Sequence, residues 1–210
     1  MPETDFITAS PRESAIAILK QEHRTVGSVV HALQQVVQDV FTHHIEADHA
    51  LIACMLYYID SFAERCHHPK EDDYLFRLLR ARTSSADALL DELQAQHIRG
   101  AQMIAYLEQL FVHYLGGSPD GLRQFAEAVE SYAVFLWDHI DQEENRILPL
   151  AEQYLQAGDW QEIAAAFRSH ADPLGAARVP QEFHRLKQRI INLLPSRLRR
   201  RVDAGGPNRE

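Results

Sequence analysis

At 210 residues, with 46% hydrophobic and 24% charged residues, the chain is long enough to bury its own core and has the composition of a globular protein. Its net charge of −9 hides a split, because residues 181–210 carry eight Lys/Arg against three acids. The acidic remainder argues against a broad nucleic-acid surface, and no apolar run nears the ~20 residues that span a bilayer. The start, Met1–Ser10, lacks the basic and apolar stretches of a secretory signal. Cys54 and Cys66 fall on one predicted helix, about 18 Å apart along its axis and too far for a disulfide. Reduced thiols in the cytoplasm are the expectation.

Ser10-Pro11-Arg12-Glu13 reads as a helix start, with Ser as N-cap, Pro at the first position and Glu at the third. Ile16, Leu19, His23, Val26, Val30, Leu33, Val37 and Val40 then follow a 3-4 alternation, the buried seam of a bundle helix. The second helix starts near Ala47 or Asp48, and its seam reads Ile52, Leu56, Ile59, Ala63, His67, Glu71, Tyr74, Leu78, with Pro69 predicting a kink. Thr83-Ser84-Ser85 supplies a loop and N-cap for the third, whose seam holds Leu90, Leu93, His97, Ile104, Leu107 and Phe111. Gly116-Gly117 ends it and Ser118-Pro119-Asp120 caps the fourth. That helix aligns Leu122, Phe125, Val129, Tyr132, Leu136, His139, Glu143, Ile147, Leu150 and Tyr154, and Gly158 stops it.

After it comes a short amphipathic helix over 159–168, with Asp159 as cap and Trp160, Ile163 and Phe167 inward. Pro173 and Gly175 mark a loop, a last helix starts near Pro180, and the tail from Pro195 reads as disordered. The expected architecture is all-α: an antiparallel up-down-up-down four-helix bundle over 11–157. A helical extension over 158–194 and a basic tail over 195–210 follow. The extension either covers one end of the bundle or forms a homodimer surface through Trp160, Phe167 and Phe183.

Each long helix places one histidine mid-seam: His23, His67, His97 and His139. Two helices add a glutamate one turn later, giving His67-x-x-x-Glu71 and His139-x-x-x-Glu143 on one face each. A buried, unpaired carboxylate costs several kcal/mol. A single core histidine is commonplace, but four joined by two seam glutamates ask for a common partner. A metal-free polar network is the bland alternative. Imidazole and carboxylate suit iron, zinc or manganese, and the two glutamates could each bridge a pair of ions.

Phe62-Ala63-Glu64-Arg65-Cys66-His67-His68-Pro69-Lys70-Glu71-Asp72-Asp73 and Trp137-Asp138-His139-Ile140-Asp141-Gln142-Glu143-Glu144 resemble the second- and fourth-helix signatures of the hemerythrin-like (HHE cation-binding) family, bacterial type. Leu19-Lys20-Gln21-Glu22-His23 and Gln96-His97-Ile98-Arg99-Gly100 are similar to the first and third. The resemblance covers roughly residues 12–155. It implies a non-haem di-iron centre, oxo- or hydroxo-bridged, with His23, His67, His97 and His139 as ligands and Glu71 and Glu143 as bridges. The oxygen carriers of this family take two histidines from the third helix, four apart. Here Leu93 and Ala101 stand four either side of His97, so a fifth histidine is missing from that helix. That departure points toward sensing or reaction rather than oxygen carriage.

His68 is expected to be a partly exposed neighbour, since an α-helix turns ~100° per residue and cannot aim both His67 and His68 inward. Glu144 is a candidate substitute for Glu143, Glu64 an outer acceptor one turn before His67, and Tyr74 a seam residue. Three functions compete: a di-iron protein handling O2, NO or peroxide, with catalase-like turnover one form of it; iron buffering or iron-sulfur repair; and an interaction module with structural zinc. A ferritin-like oxidase is disfavoured, because its Glu-x-x-His order is reversed here.

Overall fold

The computed structural model describes residues 9–169 together with Ile190 and Asn192, and among these residues it is all-helical. Expectations for Pro173, Gly175, Phe183 and the basic tail lie outside the described residues. The first helix, α1 (Pro11–His43), opens with the anticipated capping box between Ser10 and Glu13. A second helical run follows, composed of α2 (His49–Tyr58), π1 (Ile59–His67), α3 (His68–Lys70), π2 (Glu71–Phe76) and α4 (Arg77–Arg82). The third is α5 (Asp87–Leu115). The fourth comprises α6 (Gly121–Gln142), π3 (Glu143–Ile147) and α7 (Leu148–Tyr154). Last comes α8 (Ala157–Ser169).

Capping differs from expectation in three places. Asp48 caps α2 through Leu51 N as read, but Ala86 precedes α5 without a side-chain cap. Asp120 precedes α6, also without one. Asp159 lies inside the first turn of α8 and reaches back to Gln156 N at 2.8 Å, while Gly158 sits in that helix and not at the end of the previous one.

The π segments are what a 3.6-residue periodicity could not show. Two of them hand over to an α-turn with proline in its first turn: Pro69 after π1 and Pro149 after π3. Proline has no N–H and its ring clashes with the carbonyl four residues back. The wider i→i+5 pairing of a π-turn accommodates that lost bond, and such turns concentrate at functional sites. Beyond each π segment the buried face is out of step with the α-helical seam. Leu75 and Phe76 are buried where Tyr74 was expected, and Leu148 and Ala151 where Leu150 was.

The apolar interior divides into two clusters. One runs from Val26 and Leu33 through Met55, Leu107, Phe125 and Leu136; the other holds Leu19, Leu75, Leu93, Ile147, Trp160 and Phe167. The histidines and glutamates of interest occupy the layer between them. Trp160 and Phe167 are buried in the chain's own second cluster, with α8 packed against α1. Cys54 and Cys66 are free thiols.

Candidate metal centre

The polar layer contains five imidazoles and two carboxylates, all nearly or wholly withdrawn from solvent: His23, His67, His68, Glu71, His97, His139 and Glu143. Their donor atoms fall into two groups, each with atoms mutually within 4.8 Å: His23, His67, Glu71 and Glu143 in one, and His68, Glu71, His97 and His139 in the other. Glu71 opens π2 and Glu143 opens π3.

The glutamates divide their oxygens between the groups. Glu71 Oε1 lies 3.5 Å from His23 Nε2 and 3.4 Å from His67 Nε2, while its Oε2 lies 3.6 Å from His97 Nε2. Glu143 Oε2 lies 3.2 Å from His23 Nε2, while its Oε1 lies 3.5 Å from His97 Nε2 and 3.3 Å from His139 Nε2. None of these inward nitrogens and oxygens has a hydrogen-bond partner. Burying so many unsatisfied polar atoms is costly unless something bonds them. The donor set, nitrogen and oxygen without thiolate, is that of iron, zinc or manganese. The residues therefore fit a metal pair.

Behind the layer, each imidazole is braced through Nδ1. His23 Nδ1 is 3.0 Å from Glu144 Oε1, His67 Nδ1 is 2.8 Å from Glu22 Oε2, and His68 Nδ1 is 3.0 Å from Glu64 Oε2. His97 Nδ1 faces Asp72 Oδ1 at 3.1 Å as an ion-pair contact without hydrogen-bond geometry, and His139 Nδ1 is 3.0 Å from Gln96 Oε1. An ionised carboxylate only accepts, so it places the proton on Nδ1 and turns the Nε2 lone pair inward, as metal-bound histidines require.

Four of the braces form a closed ring. Glu22 of the first helical run supports His67 of the second, Asp72 of the second supports His97 of the third, Gln96 of the third supports His139 of the fourth, and Glu144 of the fourth supports His23 of the first. Each brace adjoins a donor in its own helix: Glu22 beside His23, Asp72 beside Glu71, Gln96 beside His97, Glu144 beside Glu143. That adjacency was the signal in the sequence for Glu22, Asp72 and Gln96, which motif reading assigned no role.

Electrostatics divides the imidazoles. Burial works against charge on His23, but Glu143, Glu144 and Glu71 hold its pKa well above the ordinary value. Burial opposes charge on His97 too, yet Asp72 and Glu143 raise it to about 10. His68 is pushed well below its usual value by burial and by His97 and His67. His139 falls to about 4 through burial, against the pull of Glu143 and with the repulsion of His68 and His97. Burial would raise Glu143, but His139, His23 and His97 hold it well down.

His68 corrects the sequence reading. It is 5% exposed, not a partly exposed neighbour, and it stacks on His97 with ring centroids 4.2 Å apart. A π-turn takes more residues than an α-turn, so successive side chains diverge by less than ~100° and His67 and His68 both point inward. The second helical run thus brings two imidazoles into the layer, where the third brings one. Glu144 is an outer brace, with Glu143 in the centre. Glu64 accepts from His68 and from the Tyr132 hydroxyl at 3.1 Å. Tyr74 is half-buried against the second apolar cluster.

A small cavity adjoins the layer. The imidazoles of His23, His67, His68 and His139 line it with Glu143 on one side. Val26, Ala63, Leu136 and Ile140 close the apolar side.

An all-helical core enclosing two carboxylate-linked imidazole groups defines a buried metal-binding helical protein. The sequence profile of the hemerythrin HHE cation binding domain matches residues 14–151, and the chain belongs to this family. No curated protein matches the chain. Among the described residues, no helix is long and apolar enough to cross a membrane.

Proposed function

We propose that this chain is a cytoplasmic non-haem di-iron protein, built as an antiparallel up-down-up-down four-helix bundle, that binds or reacts with O2, NO or peroxide in sensing, scavenging or stress response. The observation that carries the reading is the split of Glu71 and Glu143, each with one carboxylate oxygen toward either imidazole group. That is the placement two bridging carboxylates need. His23 and His67 would hold one ion, His68, His97 and His139 the other, and both glutamates would span the pair. Iron held this way supplies redox chemistry and open positions for small ligands.

The protein's own part is to orient and to exclude. The ring of braces orients four imidazole planes, and Glu64 the fifth, before any ion arrives. The cavity between the imidazoles and Val26, Ala63, Leu136 and Ile140 is small, about 10 Å³ or roughly the room of one water.

The test is metal content and absorption of the purified protein. About two irons per chain, with charge-transfer bands between about 300 and 400 nm, are expected of a bridged ferric pair. Stoichiometric zinc without such bands would sink the redox reading. Adding O2, NO or peroxide to the reduced protein then ranks ligand handling against iron buffering or iron-sulfur repair, in which the iron leaves to an acceptor.

A further inference from the structure

Lys70 is an unexpected occupant of the interior. It is 4% exposed and lies one helical turn after His67, on the face that also buries Glu71. Its Nζ donates to Glu22 Oε1 at 2.9 Å and Oε2 at 3.0 Å. Glu22 Oε2 in turn accepts from His67 Nδ1. The ammonium sits 4.8 Å from the Phe167 ring centroid and 6.0 Å from that of Phe62. Phe167 also meets the His67 ring edge-on at 6.4 Å. It belongs to α8, outside the family match that ends at residue 151.

The other braces are arranged differently. Glu144 and Asp72 have side chains 27% and 30% exposed, so water screens them. Gln96 is neutral, and Glu64 meets a tyrosine hydroxyl. Glu22 alone among the five is shown bonded to an ammonium in a dry, aromatic-walled site.

We propose that Lys70 is a positioning residue that lowers the donor strength of His67 through Glu22. This rests on the metal-centre reading. A carboxylate behind an imidazole N–H makes the opposite nitrogen a stronger donor. An ammonium on both oxygens of that carboxylate draws its charge away. Burial keeps the coupling unscreened, since pairwise electrostatics strengthen as water leaves. The Lys70 charge thus weakens the pull of Glu22 on the His67 proton and favours the reduced state of an ion held by His67.

The test compares Lys70→Met, Lys70→Arg and Glu22→Gln with the wild-type chain by two readouts. One is the imidazole N–H resonance of His67 in the metal-free protein by NMR; the other is the midpoint potential of the iron-loaded protein. Lys70→Met should move the resonance downfield and lower the potential. Glu22→Gln should move both the opposite way, and Lys70→Arg should return both toward wild type. Wild-type values in Lys70→Met, or equal shifts in Lys70→Met and Lys70→Arg, overturn the proposal, because packing and not charge would then be at work. Should Lys70→Met fail to fold, Lys70→Gln, neutral but still able to donate to Glu22, takes its place with the same expected signs, and wild-type values in it overturn the proposal. Absence of an iron pair in the wild-type protein would overturn the metal-centre reading, and the resonance would still decide whether Lys70 acts on His67.

Discussion

His67 and His68 are consecutive in the chain, yet both enter the donor layer, with ring centroids 5.6 Å apart and planes inclined by 52°. Each has its own carboxylate behind it, Glu22 for His67 and Glu64 for His68. The π segment ending at His67 makes this geometry available and so completes the second donor group.

His68→Ala should therefore behave as the loss of a ligand. We expect iron to fall from about two to about one per chain, comparable to His97→Ala, with the helical content retained. Metal analysis after desalting checks this. Wild-type occupancy in His68→Ala would return His68 to the role of a spectator.

Glu71→Ala should lose metal more severely than Glu64→Ala. Glu71 faces both imidazole groups, whereas Glu64 touches one histidine from behind. Loss of such an outer partner costs roughly 10–100-fold in affinity, while loss of a shared bridge removes a donor from both ions. Equal metal content in the two variants would mean that the second-helix assignment is wrong.

Two glycines separate site effects from stability effects. A Cβ at Gly100 would lie 3.1 and 3.2 Å from the Glu64 oxygens, a flexible side-chain end that can yield. Gly100→Ala should leave the unfolding midpoint nearly unchanged, aided by the better helix propensity of Ala. It should weaken metal binding about 10-fold by displacing the His68 brace. At Gly27 a Cβ would meet the Trp137 ring at 2.6 and 2.8 Å. Gly27→Ala should cost about 1–2 kcal/mol net, as overpacking outweighs propensity. Chemical denaturation and metal titration of both variants would reveal any crossing of these roles.

Asp159 ties α8 to the end of α4. Arg82 Nε and Nη2 each reach its carboxylate at 2.8 Å. The Arg82 hydrogen bonds hold the Asp159 pKa below the ordinary 3.8 in the folded protein, against the opposing effect of burial. A depressed carboxyl pKa contributes stability that is full above the unfolded value and is lost as pH falls through the folded one. Asp159→Asn should lower the unfolding midpoint by about 2–4 °C at pH 7, and the gap to wild type should shrink below about pH 4. A gap that stays constant down to pH 3 would show that the ion pair contributes nothing.

Much of the site was legible before any fold was known. His23, His67, His97, His139, Glu71 and Glu143 recur at seam positions, and α-helical spacing suffices to find them. His68 was not legible, because its inward direction depends on a change of helical pitch, and the burial of Lys70 was not, because a lysine at that spacing reads as a solvated edge of the face. Pro69 and Pro149 hint at that change, but a kink and a π-turn are equally consistent with an isolated proline. Glu64 was legible as an outer acceptor one turn from His67, but the partners of the other four braces were hidden, since those contacts cross between helices.

By itself, then, the sequence determined that four helices would each carry a histidine into a common apolar interior, because a periodic pattern is a local property of the chain. Only the tertiary structure decided how many imidazoles arrive, which carboxylate stands behind each, and that an ammonium joins them. Those outcomes depend on the π-turns that reset the phase and on the order in which the helices face one another. The closed ring from Glu22 to His67, Asp72 to His97, Gln96 to His139 and Glu144 to His23 exists only once all four helical runs are packed.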